Sequence, residues 1–215
     1  MICAEFEKQV QEALSLERPY GDRVPRELAD FAKANPTPAS VLILFGYSQI
    51  PSQFGQAEPM PSLLYIRRTD DVVTHKGQIA FPGGHTEPEE LDRPEITALR
   101  ETEEEVGISR DNVTLFGRLP PLFTATGYLI QPFVGILNRS IREVSLILDP
   151  QETAEAIWVP LDALLSSGTY QAQTFQVGDK HYPIDVYQYQ HYRIWGATGS
   201  MTKNLLDRLN QVGTL

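Results

Sequence analysis

The stretch from Gly77 to Gly107 constrains the fold more than any other part of the chain. "GQIAF" reads as a strand that closes at Pro82-Gly83-Gly84, a sequence in which a ladder does not continue comfortably. A turn-rich loop follows, and then a helix from Asp92 to Val106 with both ends marked. Asp92 and Glu95 stand at capping-box spacing, Pro94 falls in the first turn where its missing N–H is harmless, and Gly107 closes the far end. This unit carries the densest acid run in the chain, "RETEEEVG" over 100–107.

On a helix with about 3.6 residues per turn, Glu101, Glu104 and Glu105 sit at i, i+3 and i+4 and share one face. Ile96, Leu99 and Val106 form an apolar stripe on roughly the opposite side, and Glu103 lies at its margin as a bystander. A glutamate-rich run is ordinarily a solvated helix face. Here it follows a strand and a Gly-Gly turn, so clustered carboxylates stand near a backbone carbonyl. That is the hard oxygen set that Mg²⁺ or Mn²⁺ prefers. A further carboxylate from outside the helix would help complete the coordination. Glu152 and Glu155, in "DPQETAEAIWVPL", are the candidates, or else ordinary loop acids.

Charge points the same way. The formal net charge of -10 opposes sequence-independent binding to nucleic acid, which relies on Lys and Arg to neutralise phosphates. A polyanionic substrate would need divalent cations to supply what the chain lacks. One cysteine, Cys3, excludes an intramolecular disulfide and fits a reducing compartment. The first residues carry charges where a secretory signal would be apolar. The longest apolar run, "VLILF", is far too short to span a bilayer, so a cytoplasmic protein with no membrane partner is expected.

At 215 residues the chain suits one domain with an extension. Helical patterning over 4–14 and 26–34 marks an N-terminal helical extension, residues 1–36. Strand patterning begins near 40, which makes 37–215 the main domain. "SVLILFGY", "SLLYIRR", "VTLFGRL", "YLIQPFVGIL" and "AEAIWVPL" read as strands. "LDALLSS" reads as a short helix, "VGDKHYPIDVY" as a hairpin, and 198–211 as a closing helix. His85, His181 and His191 lack metal-ligand spacing, and Trp158 and Trp195 read as core aromatics.

The segment "GGHTEPEELDRPEITALRETEEEVGI" resembles the signature of the Nudix hydrolases, G-x5-E-x7-R-E-U-x-E-E-x-G-U, where U is bulky and apolar. Arg100, Glu101, Glu104, Glu105, Gly107 and Ile108 fall in register, with Thr102 where an aliphatic residue is usual. Nine residues rather than seven separate Glu90 from Arg100, which leaves the loop acid as Glu90 or Asp92. The resemblance implies an α/β fold, the Nudix α/β/α sandwich, with a mixed sheet between helices and the box forming a loop-helix-loop. It implies metal ligation by Gly83 (through its carbonyl), Glu101, Glu104 and Glu105, and orientation of the carboxylates by Arg100; Glu152 is the outside acid expected to join them. Glu101 is the preferred group for deprotonating the attacking water.

Upstream, "LLYIRRTDDVVTHKGQIAFPGG" is similar to the segment preceding the box in the coenzyme A pyrophosphatase branch. The match runs through Leu63, Leu64, Arg67, His75, Gly77, Gln78, Phe81, Pro82, Gly83 and Gly84. Tyr65 replaces a usual Thr, Arg68 a small residue, and Val73 a second Arg. This implies hydrolysis of coenzyme A to 4'-phosphopantetheine and adenosine 3',5'-bisphosphate, with Arg67, Arg68, His75, Gln78 and Gly84 at the substrate. The alternatives are hydrolysis of a nucleoside diphosphate sugar, NADH or ADP-ribose, or a non-catalytic nucleotide-binding module. Homodimerisation is compatible with the resemblance.

Overall fold

The computed structural model describes residues 4–16, 36–48, 60–70, 77–124, 126–177 and 180–213. The expected helix over 26–34, together with Cys3, Val73 and His75, lies outside the described residues.

The central strand is β1, Thr37–Ser48, whose run from Ser40 to Tyr47 is buried residue after residue. Such a continuous apolar run needs cover on both faces of a sheet. On one edge it pairs in parallel with β7, Tyr128–Ser140; on the other it pairs antiparallel with β2, Met60–Arg68. Both directions are present, so the sheet is mixed. β3, Ile79–Ala80, and β8, Thr153–Pro160, flank β2, while β5, Val113–Arg118, and β6, Leu122–Phe123, pair with β7.

Alternation along β1 and β2 sorts the side chains into two cores. Leu42, Leu44, Leu64 and Ile66 face helix α2, Pro94–Val106, and meet its Ala98 and Val106. Ile43, Phe45, Leu63 and Tyr65 face the other way. They meet Phe6, Val10 and Ala13 of α1, Ala4–Ser15, and Met201, Leu205 and Leu209 of α4, Gly196–Gln211. Each Leu or Ile so withdrawn from water contributes about 1.5–3 kcal/mol. The result is a mixed sheet between helical layers, as expected. The N-terminal helix shares the domain's own core: buried Arg208 of α4 donates to the Ala13 and Leu16 carbonyls and caps the end of α1.

The short helix α3, Leu161–Leu165, follows β8 as read from the sequence. The expected hairpin is present as β9, Tyr170–Val177, and β10, Lys180–Tyr189. It extends to a third strand, β11, Tyr192–Ile194. Among the described residues no helix is long and apolar enough to cross a membrane.

Two local expectations are corrected. The chain does not leave the sheet at Gly83-Gly84: Gly83–His85 forms β4, antiparallel to β1, with Val41 opposite Gly83. Only glycine fits there, because Gly83 has φ 153° and a Cβ would lie 2.6 Å from Val41 Cα. The capping box does not form either. The helix begins at Pro94, with Arg93 at the N-cap and no side-chain cap, while Asp92 is exposed. Pro94 presets the first turn, so the start survives without the cap. Gly107 closes the helix as expected, left-handed at φ 72°.

Candidate active site

α2 lies on the sheet with Thr97, Ala98, Thr102, Glu105 and Val106 buried, so the expected Ile96–Leu99–Val106 stripe is rotated. Leu99 is only partly buried, and Thr102, at a position where the signature usually carries an aliphatic residue, is buried. Its hydroxyl donates to the Ala98 carbonyl at 2.7 Å, which satisfies the one polar atom that burial would strand. The rotation turns Glu105 inward.

The three glutamates therefore occupy three depths. Glu104 is 56% exposed, Glu101 is largely covered, and Glu105 is 2% exposed. The Gly83 amide donates to Glu105 Oε2 at 2.9 Å, and among the described residues Oε1 has no hydrogen-bond partner. Burial pushes the Glu105 carboxyl up to about 8. The Gly83 amide and Arg68 oppose that rise, while Glu101 and Glu152 reinforce it. Burial also raises Glu101, against the pull of Arg100.

Gly84 lets Glu101 approach the β4 backbone: a Cβ there would lie 2.5 Å from each carboxylate oxygen. Arg100 holds this part of the site together. Its Nη1 donates to Glu101 Oε1 at 2.8 Å and to Glu104 Oε2 at 2.9 Å; Nε and Nη2 donate to Glu90 at 3.0 and 3.2 Å. Nη2 also reaches the His85 carbonyl at 3.4 Å. The loop acid is therefore Glu90 and not Asp92. The turn Pro88–Glu90 swings Glu90 back onto the helix, where Thr97 Oγ1 donates to it at 2.7 Å, and the longer connection bulges outward at exposed Leu91, Asp92 and Arg93. The hydrogen bond from Arg100 holds the Glu90 carboxyl below its ordinary range.

The convergence of three acids expected from helical spacing is only partial. Among the described residues no three acids form a ready-made ligand cluster. The reason is geometric: Arg100 draws Glu101 and Glu104 together, whereas Glu105 is held by the Gly83 amide. Of the two outside acids, Glu152 is the one whose charge acts on both Glu101 and Glu105. Glu155 instead pairs with Arg67 at 3.3 Å across the β2–β8 ladder.

Strand parity separates the two arginines of β2. Arg68 shares the α2 face with Leu64 and Ile66 and stands at the acids, 3.5 Å from Glu105 and 3.8 Å from Glu152. Arg67 pairs with Glu155. Gln78 is the backbone partner of Arg68, whose amide donates to its carbonyl at 3.0 Å. Tyr65 is fully buried against α4, stacked on Phe81 and hydrogen-bonded to Thr202, so it fills core rather than touching a ligand. Glu103 is a bystander, paired with Arg110 at 3.0 Å. Trp158 packs partly buried against the α2-side core, and Trp195 is half-covered beneath Arg193. Sequence reasoning missed Thr97, for which it held no signal, and the position of Arg68 between two acids, which the parity of β2 would have indicated.

A family profile described as the NUDIX domain matches residues 54–180. This chain belongs to the Nudix family. Relatives described as the uncharacterized Nudix hydrolase NudL include one from Photorhabdus laumondii, 38% identical over 71% of this chain and 79% of its own length. Another, from Yersinia enterocolitica, is 34% identical over 71% of this chain and 76% of its own. Among solved structures, the MutT protein of Methanosarcina mazei superposes with a TM-score of 0.49 at 17% identity, covering 85% of this chain and 99% of that one. The Nudix chain is thus a hydrolase of a diphosphate-type bond in a small nucleotide substrate, in a family that uses divalent metal cations.

Proposed function

We propose that this Nudix hydrolase cleaves the diphosphate of coenzyme A or a close derivative, releasing 4'-phosphopantetheine and adenosine 3',5'-bisphosphate, with Mg²⁺ or Mn²⁺ as its cation. The observation that carries the cation assignment is Glu105, a carboxylate 2% exposed with one oxygen that has no hydrogen-bond partner among the described residues. A buried carboxylate is costly unless a charge meets it. Glu101, Glu104, Glu105 and Glu152, with the Gly83 carbonyl, are a hard oxygen donor set that fits Mg²⁺ or Mn²⁺. Such a cation, when bound, neutralises phosphate charge and acidifies the attacking water.

The chain's own residues do the positioning. Arg100 fixes Glu101 and Glu104 relative to each other, and Glu90 fixes Arg100. Because Glu101 Oε1 is tied to Arg100, Oε2 is left to take the proton of the attacking water. Oxygen of that water bonds to phosphorus as the anhydride P–O bond breaks, and the second phosphate leaves with the bonding pair.

Support for coenzyme A comes from the segment "LLYIRRTDDVVTHKGQIAFPGG". In this reading Arg67, Arg68, His75, Gln78 and Gly84 serve substrate binding. Val73, standing where that branch carries a second Arg, favours the other reading, a nucleoside diphosphate sugar, NADH or ADP-ribose. Losing one charge-assisted contact removes about 1.5–3 kcal/mol of binding. Mass spectrometry of products from purified protein, Mg²⁺ and each substrate separates the two. Phosphopantetheine from coenzyme A, absent in Glu101→Gln, is the expected result; rapid cleavage of another substrate with coenzyme A untouched defeats the assignment.

A further inference from the structure

Two arginines stand among the acids, and they are held in different ways. Arg100 makes five hydrogen bonds of 2.8–3.4 Å. Arg68 lies between two carboxylates from separate elements, with Nη1 3.5 Å from Glu105 Oε1 and Nη2 3.8 Å from Glu152 Oε2. Neither contact is a hydrogen bond, and among the described residues Glu105 Oε1 has no hydrogen-bond partner. Among the described residues, Arg68 is thus held at these acids by charge and not by a hydrogen bond.

That distinction decides which arginine can be displaced. Removing Arg100 from its partners breaks well-aligned charge-assisted bonds, whereas removing Arg68 forfeits only Coulomb attraction that water partly screens. A divalent cation meets the same oxygens with twice the charge. A guanidinium and a metal ion cannot both hold Glu105 Oε1.

We propose that Arg68 is a built-in competitor for the divalent cation: it neutralises Glu105 and Glu152 until the cation displaces it, and is thereby freed to grip the substrate diphosphate. The proposal rests on the reading that the cation binds at these acids. A planar guanidinium suits two phosphate oxygens at once, and Arg68 is the last residue of β2. Arg68 then couples the two events: metal entry exposes the positive group that the diphosphate needs. It is a positioning and specificity residue, with Glu101 keeping the proton transfer.

Titration calorimetry with Mn²⁺ alone, on the full chain without nucleotide, tests this. Arg68→Gln is expected to bind Mn²⁺ about tenfold more tightly than the native chain, and Arg68→Ser likewise should the glutamine variant fail to fold. Glu105→Gln is expected to weaken binding at least tenfold, and Arg67→Gln, paired on the other side with Glu155, to leave Mn²⁺ affinity unchanged. At saturating Mn²⁺ the Arg68 variants should raise KM for the cleaved substrate more than they lower kcat. Unchanged or weaker Mn²⁺ affinity in a natively folded Arg68 variant, with Glu105→Gln still weakened, overturns the competitor role while leaving the cation site intact. Equal Mn²⁺ binding by the native chain and Glu105→Gln removes the cation site and the competitor together.

Discussion

Gly83 and Gly84 are adjacent and chemically identical, yet replacing each with alanine should do opposite things. A Cβ on Gly83 would meet backbone, 2.6 Å from Val41 Cα, in a strand that cannot yield without disturbing β1, and φ 153° strains any L side chain. Overpacking and backbone strain together put the cost of Gly83→Ala at about 3 kcal/mol. For a chain of this size that is roughly 6–12 °C in Tm. A Cβ on Gly84 would instead meet the end of a flexible side chain, 2.5 Å from both oxygens of Glu101. The carboxylate can step aside, so the stability cost should stay below about 1 kcal/mol. The displacement, however, pulls Glu101 from the position that Arg100 fixes, and a shift of about 1 Å in a reacting group costs on the order of 100-fold in rate. Thermal unfolding beside steady-state hydrolysis of the cleaved diphosphate substrate reads both effects. A Gly84→Ala enzyme with native kcat, or one that loses as much Tm as Gly83→Ala, would refute the reasoning.

Other expectations follow from the same contacts. Glu90→Gln should destabilise by about 1–2 kcal/mol, since Glu90 takes charge-assisted bonds from Arg100 and one from Thr97, whereas Asp92→Asn should change stability by less than about 0.5 kcal/mol; urea unfolding of the pair checks this. Because pairing depresses the Glu90 carboxyl below its ordinary value of 4.5, its contribution is complete above that pH and lost as pH falls through the lower folded value. The stability gap between native and Glu90→Gln should close only in acid, which unfolding curves at several pH values would show. Arg100→Lys should lower kcat by roughly 10-fold to 100-fold with native circular dichroism, because one ammonium cannot span Glu90, Glu101 and Glu104. Removing residues 1–36 strips Phe6, Val10 and Ala13 from the core and Arg208 of its carbonyl partners, so the shortened chain should unfold in calorimetry well below the full one.

What the sequence determined by itself was whatever depends on near neighbours in the chain. Helical spacing set Glu101, Glu104 and Glu105 on adjoining positions of one helix, Gly107 ended it, and apolar periodicity marked the principal strands; each follows from local geometry that tertiary contacts did not override. Tertiary structure decided the rest, because depth and partnership depend on what packs from elsewhere. The rotation of α2 on the sheet made Glu105 the buried acid and left Glu104 in solvent, which the shared helix face could not disclose. A turn brought Glu90 across a lengthened loop to Arg100, and the alternation of a distant strand sent Arg68, rather than Arg67, to the carboxylates. Side-chain charge is written residue by residue, but the dielectric and the counter-charge around each group are supplied only when separate elements meet.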